Sequence, residues 1–427
     1  MDHVSEPEEV LADADGRLHH LLLPAIKKGG QGSVYQTREP NIGVKILKHG
    51  ERAAEIIRGV RRLHIEDLTS IAAPLSTLQD CPGYVMVWLR GMIPLSESRL
   101  PKGGKLQEII EWYIATGGLR RRLAICARLA EVIADLHSRG LVYVDLSLAN
   151  VMVSEAGSVA EVRLIDLDNL RSATDQSLSV GTAGWMAPEH YDNIPPSRYS
   201  DSYSLALVTF KVLTGQHPFN DGDFVYYAAG DAEVRIDAIR GLLPSFIDPD
   251  DSLNATSRYL LPLDVVLSQT LLTMFRRAFG PGRLQIDVRP TAATLRKLFW
   301  ENYDATVICD CGFSSYLIAG GCASCDESFD KVFILEILTS PSSSPVARIA
   351  VGAVPVTIER RHLPLPMEPR SRHDELISVS VERDFVVLLA VTSEWTCTAS
   401  SLRHNDQTEL TDAKGTKLIL RAVANAR

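Results

Sequence analysis

Asp145 and Asn150 lie five residues apart in the run Tyr143–Val153, between an apolar helical stretch and an apolar strand. A carboxylate placed there can accept a hydroxyl proton, and an amide oxygen can bind a metal. Asp166 and Asp168 close the next apolar run, Leu164–Asp168. One aspartate after a strand is usually a turn; two beside an Asp/Asn pair suit a hard cation. Upstream, Lys27–Tyr35 reads KKGGQGSVY. Gly29, Gly30 and Gly32 would let backbone N–H groups approach a phosphate, and a plain β-turn is the alternative. Lys45 stands in the apolar strand VKIL and needs an anionic partner, a phosphate or a glutamate, unless it lies at a surface edge.

A second constellation lies far downstream. Cys309 and Cys311, then Cys322 and Cys325, form two close pairs separated by ten residues. Four thiolates on two tight turns suit tetrahedral Zn²⁺ in a structural role, because four protein ligands leave no open position. A redox C-x-x-C is the second reading. Cys81, Cys126 and Cys397 are scattered and read as ordinary residues.

The positions of these groups depend on the elements around them. Short apolar runs predict strands over Leu21–Ala25, Ser33–Gln36, Ile42–Leu47, Ser76–Gln79 and Tyr84–Leu89, with a helix over Arg52–Leu63. After Gly91 the pattern turns helical, with helices expected over Leu123–His137, Ser202–Leu213 and Arg258–Phe279. Val332–Val423 is rich in β-branched residues, with turn residues at Ser340–Ser344 and Lys414–Gly415. The expected division is a flexible acidic segment 1–17, a small lobe 18–91, a helical lobe 92–302, a zinc segment 303–330 and a β-sandwich or barrel 331–427.

Composition sets outer bounds. The 427 residues are 45% hydrophobic and 23% charged, an ordinary globular balance with room for two or three domains. A net charge of −9 speaks against broad nucleic-acid binding. The acidic N-terminus reads as neither signal nor transit peptide, and no apolar run nears the ~20 residues that span a bilayer. A cytoplasmic protein without nucleic-acid or membrane partners is the expectation.

Three more segments complete the pattern: GTAGWMAPE at Gly181–Glu189, DSYSLALV at Asp201–Val208 and RPTAATL at Arg289–Leu295. In this order, over roughly 18–300, the six segments resemble the signature set of eukaryotic-type Ser/Thr protein kinases. The resemblance implies an α+β, bilobal kinase fold, here followed by a small zinc ribbon and an all-β domain. It implies ATP and Mg²⁺ or Mn²⁺ as cofactors and a protein substrate. Gly29, Gly30, Gly32 and Val34 would cover the nucleotide. Lys45 would hold its phosphates and pair with a helix glutamate, Glu55 or else Glu51. Met86 would back the pocket, and Val87, Trp88 and Leu89 would form its hinge. Asp145 would accept the substrate proton, and Asn150 and Asp166 would hold the metal. Thr182 would steady the substrate loop, Glu189 would pair with Arg289, and Asp201 would brace the catalytic loop.

The chain departs from that pattern at Lys27 in the glycine loop and at Tyr143-Val144, where His-Arg is usual. Ser147 replaces a lysine, and Asp168 replaces the glycine of D-F-G. Without an arginine before Asp145, activity is expected to need no phosphorylation of the activation segment. Asp168 would either join the metal site or face solvent. A nucleotide-binding pseudokinase scaffold and a small-molecule kinase are the competing readings. Lys45, Asp145, Asn150 and Asp166 favour an enzyme, and Ala187-Pro188-Glu189 favours a protein substrate. The tail segments Val356–His362 and Ser371–His373 resemble phosphothreonine-binding forkhead-associated domains, which would imply a phosphoprotein partner. A solvated basic loop is the other reading. A partner phosphatase often accompanies such kinases.

Overall fold

The computed structural model describes residues 8–28, 32–48, 59, 62–63, 65, 68, 70–98, 105–178, 181–228, 230–256, 260–363, 372–392, 395–412 and 415–425. Gly29, Gly30, Glu51 and Glu55, and most of the expected helix Arg52–Leu63, lie outside the described residues.

The N-terminal lobe opens with a hairpin, β1 (Glu8–Ala12) against β2 (Leu18–Leu22). Residues 8–17 were expected to be loose; they are tied down because Leu11 and Leu21 bury against Val44, Leu78 and Val85. Asp13 also accepts hydrogen bonds from the Asp15 and Arg17 amides, each at 3.0 Å. Then come β3 (Lys27–Lys28), β4 (Gly32–Gln36), β5 (Ile42–Leu47), β6 (Pro74–Thr77) and β7 (Gly83–Val87). They form one antiparallel sheet in the order β3-β4-β5-β7-β6.

The register explains what each face does. Val34, Lys45 and Tyr84 are cross-strand partners, so their side chains share one face. Val44 and Val85 alternate to the opposite face and pack on the hairpin. Gly32 is required by packing alone: a Cβ there would sit 2.2 Å from the Ile46 carbonyl oxygen.

The helical lobe follows. A small sheet joins β8 (Met92–Pro94), β10 (Val151–Ser154) and β11 (Val162–Leu164), while β9 (Leu141–Val142) pairs with β12 (Arg171–Ser172). These two ladders pin the loops that carry Asp145, Asn150 and Asp166. The helices are α1 (Leu106–Ala115), α2 (Gly118–Ser138), α3 (Arg198–Thr214), α4 (Asp223–Tyr227), α5 (Ala232–Ile239), α6 (Leu263–Val266), α7 (Gln269–Phe279) and α8 (Ala292–Asp304). Helix α3 is buried along most of its length.

One helix limit differs from the sequence expectation. Helix α2 starts at Gly118, five residues before Leu123, although two glycines argue for a break there. The Ser314 hydroxyl supplies the missing cap, accepting from the Leu119 and Arg120 amides at 2.9 and 3.3 Å. The expected helical region 258–279 holds two helices, α6 and α7, and Ser268 caps the second by accepting from the Leu271 amide at 3.2 Å.

Glu189 and Arg289 form a bidentate pair at 2.7 and 2.8 Å, buried together. Burial opposes the Glu189 charge, but Arg289 outweighs it and holds the carboxyl below its ordinary value.

The cysteine segment forms a hairpin of β13 (Thr306–Ile308) and β14 (Ser314–Tyr316). It is no separate bead: Val307, Phe313, Tyr316 and Phe329 belong to the core of the helical lobe. The C-terminal part is a sandwich. One sheet contains β15 (Phe333–Leu338) and β16 (Ala347–Val351). The other contains β17 (Val356–Glu359), β18 (Glu375–Glu382), β19 (Phe385–Val391) and β21 (Ser401–Leu402). The first sheet is completed by β20 (Trp395–Cys397), β22 (Gln407–Asp412) and β23 (Lys417–Ala424), in the order β16-β15-β23-β22-β20. Leu335, Ile337, Val379, Val386 and Leu420 fill the core between them.

The sandwich is fastened to the helical lobe by ion pairs. Arg361 donates to both oxygens of Asp304 at 2.9 and 2.8 Å, and lies over the Trp300 ring at 4.0 Å. Arg372 makes a second bidentate pair with Asp135 at 3.0 and 2.8 Å. His373 places Nε2 2.9 Å from Glu131 and Nδ1 3.0 Å from Glu359. Burial pulls the His373 pKa down, but Glu131 and then Glu359 reverse this and raise it above the ordinary value.

Two outcomes are expected. Arg289→Met leaves the Glu189 charge buried with the Ser200 hydroxyl but without its cation, and costs about 3–5 kcal/mol of stability, read by chemical denaturation. The His373 contribution is complete below its unfolded pKa of about 6.5 and is lost as pH rises through the raised folded value. Melting temperature will therefore fall more between pH 7 and 9 in the native chain than in His373→Gln; equal slopes would refute the assignment.

Candidate active site

The cleft lies between the sheet face bearing Lys45 and the two pinned loops below it. Lys45 is nearly buried, and its Nζ donates to Asp166 at 2.8 Å and to Asp168 at 3.1 Å. Burial alone would lower the Lys45 pKa. The carboxylates of Asp166 and then Asp168 overcome that and raise it. Asp168 is among the most buried groups here, with its side chain 4% exposed. The solvent-facing alternative for this residue is thereby ruled out. Burial, followed by repulsion from Asp166, raises the Asp168 pKa, while Lys45 opposes the rise. The Tyr84 hydroxyl donates to the second Asp168 oxygen at 3.2 Å.

Asp166 adopts φ 60°, a left-handed conformation that aspartate tolerates. Below it, the Asn150 amide donates to the Asp145 carbonyl at 2.9 Å and to its carboxylate at 3.1 Å. The Thr182 amide and hydroxyl each donate to the other Asp145 oxygen at 2.7 Å. Asp145 is thus held from both sides, between the catalytic loop and the activation segment.

The loop is anchored from below. Asp201 is fully buried in the first turn of α3, where the helix dipole favours a negative charge. It accepts from the Tyr143 and Val144 amides at 2.7 and 2.8 Å, and His137 Nε2 lies 3.0 Å away. Val144 has φ 75°, a strained conformation for a β-branched residue. Tyr143, in place of histidine, is buried and its hydroxyl donates to the Ile165 carbonyl, joining the loop to the segment before Asp166. The Ser147 hydroxyl is buried without a partner among the described residues.

Val34, Met86, Val87, Trp88 and Leu89 sit on β4, at the end of β7 and just beyond it. The Trp88 amide donates to the Asn41 carbonyl at 2.8 Å, fixing the turn between the lobes. Sequence reading did not single out Tyr84. Its register opposite Lys45 is a usable signal, but only once the strand pairing is known.

Away from the cleft, Cys309, Cys311, Cys322 and Cys325 bring four sulfurs within 4.8 Å of one another. Cys309–Cys325 and Cys311–Cys322 each stand 3.6 Å apart. A disulfide needs about 2.05 Å. Four ligands at about 2.3 Å from a tetrahedral ion stand about 3.8 Å apart, so this arrangement fits zinc. The basic residues Arg361, His362, Arg372 and His373 of the tail face Asp304, Asp135, Glu131 and Glu359 of the same chain. Ser371 lies outside the described residues. Among the described residues, no helix is long and apolar enough to cross a membrane.

Residues 99–259 match the family model of the protein kinase domain. The chain is 28% identical over 258 residues to a serine/threonine-protein kinase, pkn2, of Myxococcus xanthus, which covers 55% of this chain and 29% of that protein. It is 28% identical over 236 residues to a probable serine/threonine-protein kinase, pknA2, of Bifidobacterium longum, covering 51% and 28%. A systemin receptor of Solanum peruvianum is 29% identical over 231 residues, covering 50% and 18%. The chain thus spans less than a third of the length of these relatives. The chain is thus of α+β fold, with residues 99–259 matching the protein kinase domain and a cysteine cluster and a β-rich C-terminal region behind them.

Proposed function

We propose that the chain is a protein Ser/Thr kinase, transferring the γ-phosphoryl group of ATP to a hydroxyl of a protein. The observation that carries this reading is the Lys45–Asp166 pair at 2.8 Å, set above an Asp145 held by Asn150. Lys45 would hold the nucleotide phosphates, and Asp145 would orient the acceptor hydroxyl and take its proton. Asn150 and Asp166, with Asp168 beside them, would hold Mg²⁺ or Mn²⁺, which neutralises charge on the phosphates. Gly32, Val34 and the segment Met86–Leu89 would enclose the adenine side. Asp168 adds a second carboxylate on Lys45, so Lys45 has anionic partners before any phosphate arrives. Thr182 would seat the substrate strand against Asp145.

The four cysteines would hold Zn²⁺ in a structural role, since the hairpin they close caps α2 and shares the core of the lobe. A phosphoprotein partner for the tail would have to displace Asp304, Asp135 and Glu131 from the basic cluster, so the internal ion pairs favour a docking role for these residues.

Phosphotransfer is tested with γ-labelled ATP and either metal, using the chain itself and a basic protein as acceptors. Label on Ser or Thr that vanishes in Asp145→Ala is the expected result. Nucleotide binding without transfer under both metals would refute the enzyme. Zinc is tested by elemental analysis of the native chain: about one zinc per chain is expected. Cys322→Ser should lower both zinc content and melting temperature, and an equal melting temperature with no bound metal would exclude the site.

A further inference from the structure

A cavity of about 340 Å³ opens beside the catalytic loop. Leu148, from the stretch between Asp145 and Asn150, forms part of its wall. Ser96, Trp112, Arg121, Arg122 and Lys211 line it as well. Three basic residues therefore line one cavity, and no carboxylate lines it among the described residues.

The charge of the two arginines is not neutralised where they stand. Arg122 donates to the Gly118 carbonyl at 2.9 Å and the Thr116 hydroxyl at 3.0 Å, between the rings of Trp112 and Tyr113. Arg121 donates to the carbonyls of Val159 at 2.7 Å and Thr116 at 3.4 Å, and to that of Ser154. These partners are all neutral. Burial lowers the pKa of both guanidinium groups, and no acid offsets it. Arg121 ends the first turn of α2 and Arg122 follows it, near the helix end where the dipole disfavours a positive charge. Lys211 has one acid, Asp221, at 2.9 Å. Carbonyls and a hydroxyl satisfy the hydrogen bonds of the two arginines but leave their charge for an incoming anion to meet, whereas Lys211 would exchange Asp221 for it.

The position ties the cavity to the reaction. Leu148 shares its loop with the proposed base. Lys211 lies ten residues after Asp201 on α3, or ~15 Å along the helix. An extended peptide covers that distance in about 4–5 residues.

We propose that this cavity is the subsite for an acidic side chain of the protein substrate. That side chain is an aspartate, a glutamate or a phosphorylated residue, and it stands a few positions from the accepting Ser or Thr. The assignment rests on the phosphotransfer reading and deepens it by naming the class of substrate.

The test uses the full chain and three peptides that differ only in that flank: acidic, neutral and lysine-bearing. The native chain is expected to favour the acidic peptide by about tenfold in kcat/KM, the order of one charge-assisted contact. In Lys211→Glu that ratio should collapse through KM and shift towards the lysine-bearing peptide. Lys211→Gln, the milder change, should give an intermediate ratio and guards against misfolding. No acidic preference in the native chain, or an unchanged ratio in both variants, would overturn the proposal. If no peptide is turned over, fluorescence anisotropy of the labelled acidic peptide separates the two readings. Binding that Lys211→Glu abolishes would support the cavity while phosphotransfer fails. Binding of inorganic phosphate without any peptide preference would overturn it.

Discussion

The catalytic loop depends on one buried carboxylate. Asp201 has no access to water, and it gathers two successive backbone amides, from Tyr143 and Val144, while His137 stands against one of its oxygens. Amides of consecutive residues converge on one carboxylate only where the chain turns sharply, and Val144 makes that turn at positive φ. The strain at Val144 is therefore maintained by α3, which is buried along most of its length. Asp145, Asn150 and Thr182 inherit their positions from this anchor.

The charges of the cleft follow from the same economy of burial. Lys45 could not remain charged in its apolar strand without a partner, and the helix glutamate expected for it lies outside the described residues. The partners that are seen come from the opposite lobe, Asp166 and Asp168. This lysine is shared between two carboxylates, and the repulsion between those two is visible in the raised Asp168 pKa. Asp168 thus adds a second carboxylate to the site, held by Lys45 and Tyr84.

Much of this was legible in the sequence, and the limits have physical causes. Residues whose placement depends on local order, such as Asp145 with Asn150 and the two cysteine pairs, could be grouped from the sequence because their spacing sets their geometry. Long-range partners were not. No local rule shows that Ser314 caps a helix almost two hundred residues earlier, so α2 was expected to begin too late. Strand β1 was missed because Glu8–Ala12 reads as acidic, while a single buried leucine suffices to fasten it. The basic tail residues suggested a ligand for a phosphate. Their actual partners, Asp135, Glu131 and Asp304, sit on helices whose sequence shows no sign of a tail.

Helix α2 joins the ends of this network. Ser314 of the cysteine hairpin holds its first turn, and its last turns present Glu131 and Asp135 to the sandwich. The three regions are therefore unlike beads on a string, each able to be traded for another. Without the tail, Asp135, Glu131 and Asp304 of the lobe would lose Arg372, His373 and Arg361 together. The joint would then be inherited as part of the lobe: a relative that lacks the sandwich should be recognisable by what has become of Glu131, Asp135 and Asp304, before its C-terminus is ever read.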